Sequence, residues 1–317
     1  MLTQDARVQR RLRHRRRARR RRLGVVLLVA LALGVGLSFG LRGGGNASSA
    51  RVERPAAPPA TYSSRHSTRP TRPPVPPVIH RLALPARLPA RTLHVPILMY
   101  HRIDVLRPTL PTITRSLTVA PDDFAAQMRW LRAHGYHAIT QQQLYAGLEQ
   151  GKRLPAKPIV ITFDDGYRDV LANAAPLLAR LRMPATAYVI TARISGPDVS
   201  FLSWAQLHAL EQNGVEIGSH TVHHAELPRL SDPEALQELI QSRLALERHL
   251  GHPVQWFAYP AGRFDQRTEG LVRQAGYVLA VTTQPGSAQS AQAPFALHRY
   301  EVLDTTGVRG LAAMLRG

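Results

Sequence analysis

Residues 159–167 read Ile-Val-Ile-Thr-Phe-Asp-Asp-Gly-Tyr, an apolar, β-branched run that stops on two adjacent carboxylates and a glycine. A short apolar run bounded by a turn signal reads as a strand buried on both faces. Six more runs of this kind flank it, at 95–100, 185–190, 215–218, 254–259, 277–283 and 296–302. Helical patterns lie between them. Residues 121–134 open with Pro121-Asp122-Asp123 and space Phe124, Met128 and Leu131 on one helical face; 203–213 begins at a Ser cap, and 232–250 ends at Gly251. Two helices, at 121–134 and 141–150, fall between the first and second runs and read as an insertion there. Strands that alternate with helices predict an α/β protein built on a parallel sheet or barrel. In such barrels the chemistry sits just after the strands. His101, Asp164, Asp165, His220 and His224 follow these runs, and His298 lies within the last of them.

The N-terminal third has a different character. Residues 23–41 form an uncharged apolar run of 19 residues, directly preceded by eleven Arg and one Asp in 1–22. About 20 apolar residues cross a bilayer, and the positive flank stays in the cytoplasm. The run is expected to be a single-pass membrane anchor, with the chain beyond it outside the cytoplasm; cleavage near Ala47-Ser48-Ser49-Ala50 would make the protein secreted instead. Residues 42–92, rich in Pro and Arg, read as an extended spacer. Residues 93–317 remain as the catalytic domain.

The chain carries a formal charge of +20. About +10 belongs to 1–22 and about +8 to 42–92, leaving the folded part nearly neutral. That distribution argues against nucleic-acid binding, since the arginines before the span act as topology signals. With no cysteine, disulfides, thiolate metal sites and cysteine nucleophiles are excluded. A single anchor and a long linker call for no partner, so a monomer is expected.

Two constellations carry chemistry. Asp164 and Asp165 repel one another at a strand end unless a cation binds one, which leaves the other free to act as a base. His220, His223 and His224 supply imidazoles after the 215–218 run. Two of them with one carboxylate would make a metal site with open positions.

These motifs, in this order, resemble a known family. Thr-Phe-Asp-Asp-Gly, then His220-Thr221-Val222-His223-His224, then Tyr259-Pro260-Ala261-Gly262 are similar to the polysaccharide deacetylases with a NodB homology domain. The segment Pro96-Ile97-Leu98-Met99-Tyr100-His101-Arg102-Ile103 narrows the likeness to the subgroup acting on poly-N-acetylglucosamine, whose motif order is permuted. The resemblance implies a distorted (β/α)7 barrel and removal of N-acetyl groups from an exported amino-sugar polysaccharide. It implies Asp165, His220 and His224 as ligands of a divalent metal, zinc in the first instance, with cobalt or nickel as alternatives. Asp164 would be the base and His101 the acid, with His298 in Ala296-Leu297-His298-Arg299 as the alternative acid. Tyr259, Pro260, Ala261 and Gly262 would line the substrate.

The chain departs from the family's pattern in three places. Ala258 stands where relatives carry an Arg that orients the base. Ala261 replaces an aromatic, and no tryptophan-bearing late motif is found. Competing expectations are a deacetylase of peptidoglycan or of O-acetylated glycan, and an inactive wall-binding domain.

Overall fold

The computed structural model describes residues 90–316. The basic tail 1–22, the apolar run 23–41 and the linker as far as residue 89 lie outside the described residues. Among the described residues, no helix is long and apolar enough to cross a membrane.

Every one of the seven apolar runs contains a strand. They are β2 (Ile97–Tyr100), β6 (Pro158–Phe163), β7 (Ala185–Val189), β8 (Val215–Ser219), β9 (Trp256–Ala258), β10 (Leu279–Val281) and β12 (Tyr300–Glu301). They pair in the order β10-β9-β8-β7-β6-β2-β12, and every pairing is parallel. Just ahead of β12, Leu297 bridges Val281 of β10 in parallel, while Tyr300 pairs with Leu98 of β2. The 297–301 segment therefore touches both edges of the sheet, which curls back on itself.

Alternation along the strands sorts two cores. Leu98, Ile161, Phe163, Ala187, Val189 and Ile217 pack outward under the helices. Ile97, Val160, Tyr188, Ala258, Val281 and Leu297 fill the inside. Gly218 belongs to the inner set by necessity, because a Cβ there would come within 2.5 Å of the Tyr188 ring.

The helices expected from pattern form where capping chemistry marks them. Gln141–Gln150 starts at a Thr140–Gln143 capping box, Trp204–Gln212 at a Ser203–Gln206 box, and Asp232–Leu250 at Ser231–Glu234, the last ending on left-handed Gly251. Pro121–Ala133 begins with Pro at its first turn.

Sequence pattern did not anticipate several short pieces. An antiparallel pair joins β1 (Thr92–His94) to β11 (Ala288–Ser290), and parallel pairs join β3 (Arg102–Ile103) to β4 (Thr118–Val119) and β5 (His137–Ala138) to β6. Residue 93 falls inside β1, and Arg91 Nη1 already caps the helix 141–150 by donating to the carbonyls of Gly147 and Leu148 at 3.2 and 2.6 Å.

Candidate active site

The inward alternation of β6 runs Val160, Thr162 and then Asp164, so the first carboxylate enters the enclosed interior. Asp164 is 2% exposed. A charge there needs a partner, and Arg299 provides one. Its Nη1 and Nη2 each donate to one Asp164 oxygen at 2.7 Å, while its Nε donates to Thr282 O at 2.8 Å and Nη1 also reaches Thr162 Oγ1 at 3.1 Å. Arg299 is fully buried, two residues beyond inward-facing Leu297. Burial pushes the Asp164 carboxyl up. The charge and hydrogen bonds of Arg299, with His220 and His101 nearby, outweigh it and hold the group at about 2. Asp164 is thus an ionised carboxylate in a fixed plane at neutral pH.

This pair supplies the orientation that Ala258 cannot. The guanidinium that orients the carboxylate comes from the last strand segment instead of from the segment before Tyr259. Sequence pattern gave no sign of this pairing, since Arg299 and Asp164 lie 135 residues apart.

Asp165 turns the other way because its backbone is left-handed, at φ 76°. Thr221, His224 and Ala261 share that conformation at 68°, 61° and 52°. Non-glycine residues adopt it at a cost, and such residues gather at functional sites. The effect here is to bring Asp165, His220 and His224 together, with one donor atom from each lying within 4.8 Å of the others. Asp165 Oδ1 lies 3.6 Å from His220 Nε2 and 3.7 Å from His224 Nε2.

The donor set suits a divalent metal. His220 Nδ1 donates to Ala258 O at 2.8 Å, which fixes the tautomer and leaves the Nε2 lone pair facing Asp165. Burial holds His220 down at about 3, so it is the neutral imidazole a metal requires; burial also lowers His224. Burial and the neighbouring Asp164 push Asp165 up to about 6, against the pull of His101 and a hydrogen bond from Tyr167. The cluster is short of positive charge, which a cation would supply.

His223 does not join this cluster. It is exposed and pairs with Glu238 Oε1 at 2.7 Å. The other oxygen of Glu238 accepts the N–H groups of Val222 and His223, both at 2.9 Å. One helix side chain therefore holds the loop that carries His220 and His224, a role with no signal in the sequence.

His101 and His298 part company. His101 follows β2 on the same side as Asp164 and Asp165, close enough to act electrostatically on both, and its Nδ1 is buried without a hydrogen-bond partner. His298 precedes β12, and because Tyr300 pairs with Leu98 it lies toward the opposite end of the sheet. There its backbone is held by Gln289, and its ring packs on Gly286. His298 is not brought to the carboxylates.

The expected substrate wall divides as well. Tyr259 is fully buried, stacked on Phe264 and edge-on to Phe257, and Pro260 is buried too. Neither side chain is exposed. Ala261 is exposed, and Gly262 (φ 64°) sits where a Cβ would fall 2.0 Å from Thr283 Oγ1.

Comparison with known proteins places these features in context. Residues 151–280 match the family model described as polysaccharide deacetylase. Over 218 residues the chain is 34% identical to "Putative polysaccharide deacetylase YxkH" of Bacillus subtilis (strain 168), covering 69% of this chain and 74% of that protein. It is 23% identical over 174 residues to a poly-beta-1,6-N-acetyl-D-glucosamine N-deacetylase of Staphylococcus aureus (strain MSSA476), covering 51% of this chain and 60% of that one. Among solved structures, the Streptococcus pyogenes deacetylase PplD in complex with acetate matches with a TM-score of 0.66 and 29% identity, over 71% of this chain and 99% of that one.

Proposed function

The chain belongs to the polysaccharide deacetylase family and is a hydrolase of that class, and from that premise we propose that it removes N-acetyl groups from an exported amino-sugar polymer of the poly-N-acetylglucosamine type. The observation that carries this reading is the Asp165–His220–His224 cluster beside an ionised carboxylate. The curled parallel sheet is read as the distorted (β/α)7 barrel of that family.

In this reading Asp165, His220 and His224 hold a divalent cation, with zinc favoured over cobalt or nickel. A cation held there would polarise the acetamide carbonyl and make the attacking water more acidic. Asp164 takes a proton from that water, and Arg299 keeps the carboxylate in one plane while it does so. The exposed turn at Ala261 offers its N–H to the developing oxyanion. An amide nitrogen leaves only as an amine, so His101 donates a proton as the C–N bond breaks. Acetate and a free amine result. His298 is left out of the mechanism by its position.

The N-terminal features belong to the same proposal. The 23–41 run anchors the chain in the membrane, and the linker lets the catalytic domain reach polymer outside the cytoplasm as a monomer. Nucleic acid has no part in this reading.

The test is product stoichiometry. The purified full chain, supplied with zinc, is incubated with N-acetylglucosamine oligomers, and acetate and free amine are both counted. Equal yields support N-deacetylation. Acetate without new amine, from an O-acetylated glycan alone, would replace this reading with an esterase.

A further inference from the structure

At the same end of the sheet as the cluster lies a cavity of about 390 Å³ that the mechanism does not use. We propose that it is a subsite for the sugar next to the one being deacetylated, and that it selects a sugar carrying an oxyanion, either carboxylate or phosphate. The proposal rests on the glycan deacetylase reading and requires that the amino-sugar polymer carry an acidic sugar, or an acidic substituent, beside the N-acetylated unit.

Position is the first argument. The cavity is walled by Arg102 and Arg107 after β2, by Arg168, Asp169 and Asn173 after β6, and by Ser200. Arg102 directly follows His101, and Arg168 follows Tyr167, whose side chain is hydrogen-bonded to Asp165. The cavity therefore opens at the same end of the sheet as the reacting groups. Its size suits one substituted sugar ring.

The second argument is which groups are already engaged. Asp169 accepts from Ile103 N and Arg102 Nε, both at 2.9 Å. Asp104 accepts from Val105 N at 2.8 Å and from Arg102 Nη2 at 3.4 Å. Asp198 accepts from Ser200 N at 3.0 Å and Ser200 Oγ at 2.6 Å. All three acids lining the cavity thus have partners. The side chains of Arg107 and Arg168 have no ion-pair or hydrogen-bond partner among the described residues, and both are exposed. The hydrogen-bonding capacity left over is cationic and donating, and guanidinium groups match the planar fork of a carboxylate or the edge of a phosphate.

The third argument is rigidity. Tyr167 and Phe201 stack at 4.8 Å, with Arg102 4.8 Å from the centroid of the first ring and Arg193 5.5 Å from that of the second. This cation–ring–ring–cation ladder ties the cavity wall to Tyr167 and through it to Asp165. A sugar bound in the cavity would be held in register with the reacting acetamide, which is how binding energy from a neighbouring unit enters turnover.

The experiment compares three oligomers of one length: neutral N-acetylglucosamine, the same with a carboxylate on the neighbouring sugar, and the same with a phosphate there. They are given to the full chain and to its Arg107→Ala/Arg168→Ala variant. The wild type is expected to favour an anionic oligomer by about tenfold in kcat/KM, chiefly through KM, the scale of one charge-assisted contact. The variant is expected to lose that preference and keep its rate on the neutral oligomer. Whichever anion is favoured names the source. No preference in the wild type, or an undiminished preference in the variant, overturns the proposal. If the wild type releases acetate from no oligomer, the deacetylase reading fails, and the subsite is judged by calorimetry on the metal-free chain. A Kd for the anionic oligomer about tenfold weaker in the variant sustains the subsite, and equal Kd values reject it.

Discussion

At the scale of single residues, the account turns on Asp164 and Arg299. Each is buried and each satisfies the other. Removing one member of a buried pair leaves a bare charge, which costs about 3–5 kcal/mol. Arg299→Met is therefore expected to lower unfolding free energy by that amount in denaturant melts, and adding Asp164→Asn is expected to restore part of it. Asp164→Asn alone is expected to bind metal as wild type does, by elemental analysis, while turnover disappears; substantial residual rate would remove Asp164 as the base. The two histidines give a sharper contrast. His101→Ala is expected to cost about 10²–10⁴-fold in kcat, and His298→Ala to stay near wild type; the reverse order would exchange their roles.

The site was legible where chemistry follows strands in sequence. Asp164, Asp165, His220, His224 and His101 all lie at strand ends, and the structure gathers them. Contacts made across the enclosed interior were not legible. Arg299 meets Asp164 from a strand more than a hundred residues away, and no local pattern announces that pairing. Tyr259 misled for the opposite reason: it sits in a functional motif, yet its ring serves the core formed with Phe257 and Phe264.

At the scale of elements, helix 141–150 rests its first N–H on Glu216 of β8. Glu216 Oε2 accepts from Gln141 N at 2.7 Å and from Thr186 Oγ1 at 3.2 Å. Burial nevertheless dominates and raises its carboxyl from 4.5 to about 7. The fold thus favours the protonated form. This contribution to stability is full below about 4.5 and is lost as pH climbs through about 7. Glu216→Gln is expected to raise Tm relative to wild type more at pH 8 than at pH 5, and an equal difference at both values would dismiss Glu216 as the cause. The strands were legible because burial on both faces writes continuous apolar runs. The two-residue strands and β1 were not, since pieces so short carry no periodicity and their pairing partners are distant.

At the scale of the whole molecule, family membership and the curled parallel sheet agree with the alternation of strand and helix along the chain. The formal charge of +20 belongs here too, because nearly all of it is carried by 1–22 and 42–92. The proposed anchor makes a physical prediction. Intact cells treated with protease are expected to lose the catalytic domain while the arginine-rich tail stays protected, and a domain protected until lysis would place it in the cytoplasm.

The central claim is that a cation held by Asp165, His220 and His224 drives deacetylation. Acetate release by the purified chain from N-acetylglucosamine oligomers tests it most directly, measured as isolated, after chelation and after zinc is restored, with Asp165→Ala in parallel. The expected result is activity lost on chelation and regained with zinc in the wild type, and absent throughout in Asp165→Ala. Release that survives chelation, or an Asp165→Ala variant that zinc brings to the wild-type rate, would contradict it.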